Sequence, residues 1–340
     1  MRARNGLSLV MLAVAVQQSL AAQPPGGRAP LRPVATYSIV ARDSATGEIG
    51  VAVQSHWFSV GAIVPWAEAG VGAVATQSFV EASYGPLGLE LMRLGRSAPE
   101  ALKALVSTDK DSTVRQVAMI DVTGRVATHT GSRAIIAAGH HVGTHYSVQA
   151  NLMEKPTVWP AMARAFESAK GDLAERLLQA LEAAEREGGD IRGRQSAAIV
   201  VVSAKNTGRP WVDRRFDLRV EDYPAPVVEL RRLVTLARAY HKLNEGDERV
   251  TKNDVPGAIE AYGAATSIVP DSATNGEAAF WTGISLVGAK RVDEALPYLR
   301  RAYAADQRWA ELVRRLPAAG LLPDDGALVN RLVAGMRVAR

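Results

Sequence analysis

The sequence predicts an α+β domain of stacked sheets with helices outside, followed by an all-helical region. Three observations carry this. Strand-like and helix-like runs alternate in blocks between residues 36 and 203, which disfavours strict βαβ winding. The β character stops at Pro224-Ala225-Pro226, and everything beyond reads as helix. At 340 residues the chain is long for one core, so two domains are expected.

The elements follow in order. Arg2 and Arg4 precede a ten-residue, largely apolar run from Leu7 to Val16, and Ser19-Leu20-Ala21-Ala22 offers small residues to a signal peptidase. Ten residues make roughly 15 Å of helix, about half a bilayer core, so residues 1–22 are expected to be a signal peptide and not an anchor. A periplasmic or secreted location follows. Residues 23–35, rich in Pro and Gly, read as a linker.

From Thr36 the pattern changes. Thr36 to Arg42 and Ile49 to Gln54 are strand-like around the turn Asp43 to Gly47, a β-hairpin. Val60 to Val64 and Val71 to Thr76 continue the β character. Helices are expected from Gly85 through Leu94 and from Ser97 through Val106, the second opened by Ser97 as N-cap and Glu100 closing a capping box. Val117 to Val122 and Val126 to Thr130 flank Thr123-Gly124 as a second hairpin, and Tyr146 to Leu152 forms another strand. Helices then occupy about 158–170 and 172–187, the latter begun by Asp172 and stopped by Gly188-Gly189. Ser196 to Ser203 is too densely apolar for a half-exposed strand and should be central.

The helical region contains an internal repeat. Ala258, Tyr262, Ala265 and Pro270 have the spacing of the second helix of a tetratricopeptide repeat and its stop. The same positions recur 37 residues later as Ala295, Leu299, Ala302 and Gln307, with Gly283 at the small position of the helix between. Two units are few for a free solenoid, so packing on the first domain or on a partner is expected. Trp159, Trp281 and Trp309 read as helix-packing residues.

Composition excludes several classes. Four arginines and no acid lie in residues 1–35, and removing them from the net +5 leaves +1 for the rest. No basic stripe with interleaved aromatics exists, so nucleic-acid binding is not expected. No later segment is long and apolar enough to span a membrane. The absence of cysteine removes disulfides, thiolate metal sites and a Cys nucleophile. His140, His141 and His145 have a suggestive spacing, but Gly139 and Gly143 make their segment a loop with no carboxylate until Glu154. No metal and no cofactor are expected.

Several blocks resemble one family in a consistent order: Thr36 to Asp43, Gly47 to Ser55, Gly61 to Trp66, Gly70 to Gln77, Tyr84-Gly85-Pro86, Thr128 to Gly131, Gln149 to Met153 and Gly189 to Ala198. They cover about residues 36–222 and resemble the domain of unknown function 1028, a family similar to N-terminal-nucleophile (Ntn) hydrolases. The resemblance implies a four-layer α-β-β-α domain over 36–222, followed by the small tetratricopeptide-like all-α domain over 227–340. Some relatives carry a C-terminal peptidoglycan-binding segment, and Trp309 to Asp325 is similar to it.

An Ntn hydrolase attacks with the first side chain of its mature chain, and the free α-amine, of pKa ~8, is the base. In the family's register Thr36 is then the nucleophile, which requires a cut at Ala35–Thr36 beyond signal-peptide removal. Asn151, or a backbone N–H in the Gly-rich 70–77 segment, would hold the oxyanion. Gln54, Ser55, His56 and Gln77 would line the pocket. Asp190, Arg192 and Arg194 would orient a polar or anionic substrate, since the Arg fork suits a carboxylate.

The expected activity is hydrolysis of a small amide or peptide-like bond. The alternative is a non-catalytic binding module of the same fold, docking a cell-wall component or protein partner through its helical region; a plain scaffold is a third reading. Exposed helical layers would also permit a homodimer.

Overall fold

The computed structural model describes residues 36–337. The expected signal peptide and linker lie outside the described residues. The strands are β1 (Thr36–Arg42), β2 (Ile49–Ser55), β3 (Pro65–Glu68), β4 (Gly72–Ser78), β5 (Arg115–Asp121), β6 (Val126–Thr130), β7 (Gly139–Gly143), β8 (Tyr146–Asn151), β9 (Ser196–Val202) and β10 (Arg214–Val220). The helices are α1 (Tyr84–Arg93), α2 (Ala98–Thr108), α3 (Val158–Ser168), α4 (Leu173–Arg186), α5 (Pro210–Asp213), α6 (Pro226–Thr251), α7 (Val255–Ile268), α8 (Glu277–Gly288), α9 (Val292–Ala305), α10 (Trp309–Arg315) and α11 (Gly326–Met336).

Two sheets form. One has six strands in the order β10-β9-β2-β1-β8-β7, the other four in the order β3-β4-β5-β6, and every pairing is antiparallel. Period-two alternation sorts the side chains. Val40, Val51, Val53, Val200, Ala75 and Ile120 meet between the sheets. Tyr37, Ile39, Ala52, Val148 and Ile199 point the other way, onto Met162, Phe166, Leu177 and Leu181 of α3 and α4. On the smaller sheet, Val74, Val117 and Met119 pack under Leu89 and Met92 of α1 and Leu102 of α2. Each fully buried Val, Ile or Leu contributes roughly 1.5–3 kcal/mol.

The helix starts form as the sequence predicts. Ser97 Oγ accepts the Glu100 N–H at 3.3 Å, and Glu100 Oε2 accepts the Ser97 N–H at 2.8 Å. Asp172 caps α4 by accepting the Glu175 N–H at 2.8 Å. The strand over Ser196 to Ser203 lies, as expected, inside the larger sheet between β2 and β10.

Two local expectations are corrected, and one strand is added. Val60 to Val64 is not a strand: Ser59 turns into the left-handed region (φ 56°), a 3-10 turn spans Val60–Ala62, and the strand begins at Pro65. The histidine segment is not a loop but β7, an edge strand hydrogen-bonded to β8. Arg214–Val220 is an additional strand at the other edge, where its charges discourage pairing with a further chain.

After β10 the chain is helical. Val227, Leu230 and Val234 of α6 enter the apolar core of the first domain, and Arg231 and Arg238 pair with Glu175, Glu182 and Asp172 of α4 and its cap. The helical region is therefore packed on the first domain. The repeat positions Ala258, Tyr262, Ala265, Ala295, Leu299 and Ala302 are all buried. A Cβ on Gly283 would come within 2.7 Å of Leu299, so a small residue is needed where α8 crosses α9. Trp309 stacks on Phe280 at 4.5 Å and Trp281 meets the same ring edge-on at 5.1 Å, both acting in helix packing.

Candidate active site

Thr36 opens β1, a central strand, and register aligns four polar residues across the sheet at that end. Ser196 pairs with Ser55, Ser55 with Thr36, and Thr36 with Asn151. All four are fully buried, and alternation turns their side chains toward the smaller sheet. Thr36 Oγ1 donates to Ser55 Oγ at 3.3 Å.

The smaller sheet answers with amides. Gln77, near the end of β4, donates to the Thr36 carbonyl at 3.1 Å and to Gln116 Oε1 at 2.7 Å, and its own Oε1 accepts from Ser38 at 2.6 Å. Asn151 Nδ2 donates to Gln116 Oε1 at 3.0 Å and lies 3.5 Å from the Thr36 carbonyl. Gln149 donates to Ser38 at 3.2 Å and to the Ala75 carbonyl at 3.1 Å. The space between the sheets thus has an apolar part and a part filled by a network of amides and hydroxyls. Buried polar groups of this kind are costly unless paired, so the network holds the sheets in one register.

Two acceptors in this network stay open: Asn151 Oδ1 and Gln149 Oε1. Backbone strain gathers around them. Leu152 and Ser78, directly after Asn151 and Gln77, have φ of 57° and 71°, a region that non-glycine residues avoid.

Of the residues expected at the site, Thr36, Ser55, Gln77 and Asn151 are brought together. His56 is near in sequence, but it is its backbone N–H that is engaged, donating to Asp190 Oδ2 at 2.9 Å, while its ring Nδ1 is buried without a partner. Gln54 departs from the expectation. It shares a face with Ala52, so its side chain points to the helix side, opposite Thr36, and both of its amide atoms are buried without a hydrogen bond.

Asp190, Arg192 and Arg194 are occupied internally. Asp190 is buried and accepts from the Arg192 backbone at 2.9 Å and from its guanidinium at 2.9 and 3.1 Å, besides His56. Arg194 pairs with Glu185, which also accepts the Tyr37 hydroxyl. Burial, then the neighbouring Glu185 carboxylate, pushes the Tyr37 hydroxyl well above its usual range. Burial also holds Glu185 above the usual carboxylate range, with the Tyr37 and Arg194 contacts opposing it.

The histidines of β7 and its turn have separate partners: His140 with Thr130 at 2.8 Å, His145 with the Gly124 carbonyl at 3.1 Å, and His141 with the Tyr146 ring at 6.1 Å. Among the described residues no group of three or more His, Asp or Glu side chains is placed to hold a metal ion.

Sequence reasoning missed Ser38, Gln116 and Gln149. The signal was available in the alternation: each is a polar residue at an inward position of an otherwise apolar strand. A separate cavity of about 650 Å³ lies between β3, α1 and the β9–β10 edge, lined by Trp66, Leu89, Val200 and Arg219 among others. It does not include Thr36 or its polar neighbours.

No curated protein matches the chain. Among solved structures it is similar to the crystal structure of protein SPO2555 from Silicibacter pomeroyi, described as family DUF1028, at 30% identity and a TM-score of 0.54, over 60% of this chain and 86% of that one. A family model described as Family of unknown function (DUF1028) matches residues 36–230, which covers the first domain and the start of α6. The chain therefore belongs to the DUF1028 family.

Proposed function

We propose that this protein is an exported Ntn-type amidohydrolase acting on a small amide or peptide-like bond, with Thr36 as its nucleophile. One observation carries the reading: Thr36 lies in a central strand opposite the last residues of β2 and β8, with its hydroxyl against Ser55 and its carbonyl beneath the Gln77 and Asn151 amides. In this reading the two sheets and their outer helix pairs are the four-layer α-β-β-α arrangement of Ntn hydrolases. The helices α7 to α9 are the tetratricopeptide-like unit.

The chemistry requires a cut before Thr36. The freed α-amine, of pKa ~8, takes the hydroxyl proton as Oγ1 attacks the substrate carbonyl. In this scheme Asn151 Nδ2 turns from the Thr36 carbonyl to donate to the oxyanion. Collapse expels the amine with the transferred proton and leaves an ester on Thr36. Water, deprotonated by the same α-amine, then releases the acid. No cofactor enters the scheme.

The test is turnover of a chromogenic amide library by the exported protein and its Thr36→Ala variant. Turnover by the wild type and none by a folded variant supports the reading. Equal turnover by both rejects it.

A second reading, a binding module without turnover, is favoured by the internal pairing of Arg192 and Arg194, which leaves neither guanidinium free of a carboxylate. It places binding of a cell-wall component or protein partner in the helical region. Retention of the exported protein on isolated peptidoglycan, with no amide turnover, would support it.

A further inference from the structure

Between α6, α7 and α8 the helical region forms a cavity of about 300 Å³, open to solvent, that the hydrolysis above does not use. Its walls are mainly apolar, including Val250, Ile284 and Leu321. Val250 and Leu321 are 40% and 45% exposed, so apolar surface stays open to solvent at this point. Tyr262 and Trp281 contribute two aromatic rings to the lining.

One carboxylate stands among them. Asp247 is the sole acid or base in the lining apart from the Tyr262 phenol. Its Oδ1 accepts the Tyr262 hydroxyl at 2.6 Å. That ring is fixed in turn by Gly246, where a Cβ would come within 2.2 Å of it. Asp247 forms no ion pair among the described residues, because the neighbouring cations of α6 are taken: Lys242 by Glu245, Arg249 by Glu245 and Asp254, and Lys252 by Glu248.

We propose that this cavity binds an organic ammonium group carried on an apolar stem, of the kind that ends a lysine side chain. The carboxylate supplies the opposite charge, and the aromatic and apolar walls accept the stem. Asp247 is exposed, so a neutral ligand with the same stem would gain nothing from it, and an anion would be repelled.

The test is calorimetric titration of the full-length protein with n-hexylammonium and with n-hexanol, probes of the same length that differ in charge. The expected result is a preference for hexylammonium of roughly tenfold or more. Asp247→Asn keeps an acceptor for Tyr262 and should remove the preference while leaving hexanol binding nearly unchanged. Gly288→Leu should weaken both probes, since Gly288 lines the cavity and an added Cβ there meets nothing within 4 Å. Equal affinity for the two probes, a preference that survives Asp247→Asn, or no binding of hexylammonium at millimolar concentration would each overturn the proposal.

Discussion

Thr36 and Asn151 are direct partners across β1 and β8, and the Asn151 amide nitrogen lies 3.5 Å from the Thr36 carbonyl oxygen. The proposed nucleophile and oxyanion donor thus sit on adjacent strands at one end of the larger sheet, fixed by a register that the apolar faces enforce. Asn151→Ala should lower amide turnover by ~100-fold or more while Thr36 remains reactive, the usual effect of losing one oxyanion donor. Steady-state rates of the variant on a substrate of the wild type check this. An unchanged rate would remove Asn151 from the mechanism.

Gln77 links the sheets. Gln77→Leu would leave the Thr36 carbonyl, Gln116 Oε1 and the Ser38 hydroxyl each short of a bond in a fully buried setting. The expected loss of stability is about 2–4 kcal/mol, from orphaned polar groups at ~1–3 kcal/mol each with partial relaxation. Urea unfolding of the variant measures it. A loss below about 0.5 kcal/mol, the range of ordinary surface substitutions, would show that the network does not hold the sheets together.

Glu185 gives a pH signature. Burial raises its pKa above the ordinary carboxylate range despite the Tyr37 and Arg194 contacts. The folded state then holds the proton at pH values where the unfolded state has lost it. Stability therefore falls as pH rises from about 4.5 through the raised value, and levels off above it. Glu185→Gln keeps an acceptor for Tyr37 and should flatten this part of the curve. Urea midpoints of both proteins across acid and neutral pH decide, and parallel curves would refute the assignment.

The capping box of α2 is a local prediction. Ser97→Ala removes the acceptor of the Glu100 N–H. It should cost ~1 kcal/mol, as N-cap losses do. Thermal unfolding monitored by circular dichroism is sufficient.

In the helical region, Gly283→Val should force α8 and α9 apart, since the first added carbon already meets Leu299 at 2.7 Å. The expected cost is about 1–3 kcal/mol. A helical region that unfolds before the first domain, seen as a separate early transition, is the expected outcome.

Much of this was legible in the residues. Thr36 and Asn151 are singled out by the family's register, and Ser97 and Asp172 carry cap chemistry that acts locally. Gln54 shows what simple adjacency misses: a strand sends consecutive side chains to opposite faces, so Gln54 and Ser55 cannot both face Thr36. The segment β7 hid because Gly139, His140, His141 and Gly143 have little strand preference, and its pairing with β8 is a tertiary matter. The charged strand β10 hid for the same reason, its exposed Arg214, Arg215 and Arg219 masking a buried Phe216. The strained backbone at Ser78 and Leu152 has no local sequence signal at all.

The most direct test of the central claim is the mass and N-terminal sequence of the mature protein exported from a bacterial host, compared with its Thr36→Ala variant. The account predicts a wild-type chain that begins at Thr36, with a free α-amine, and a variant that keeps the residues before position 36. A wild-type chain that begins near Gln23, with no shorter species, would contradict it.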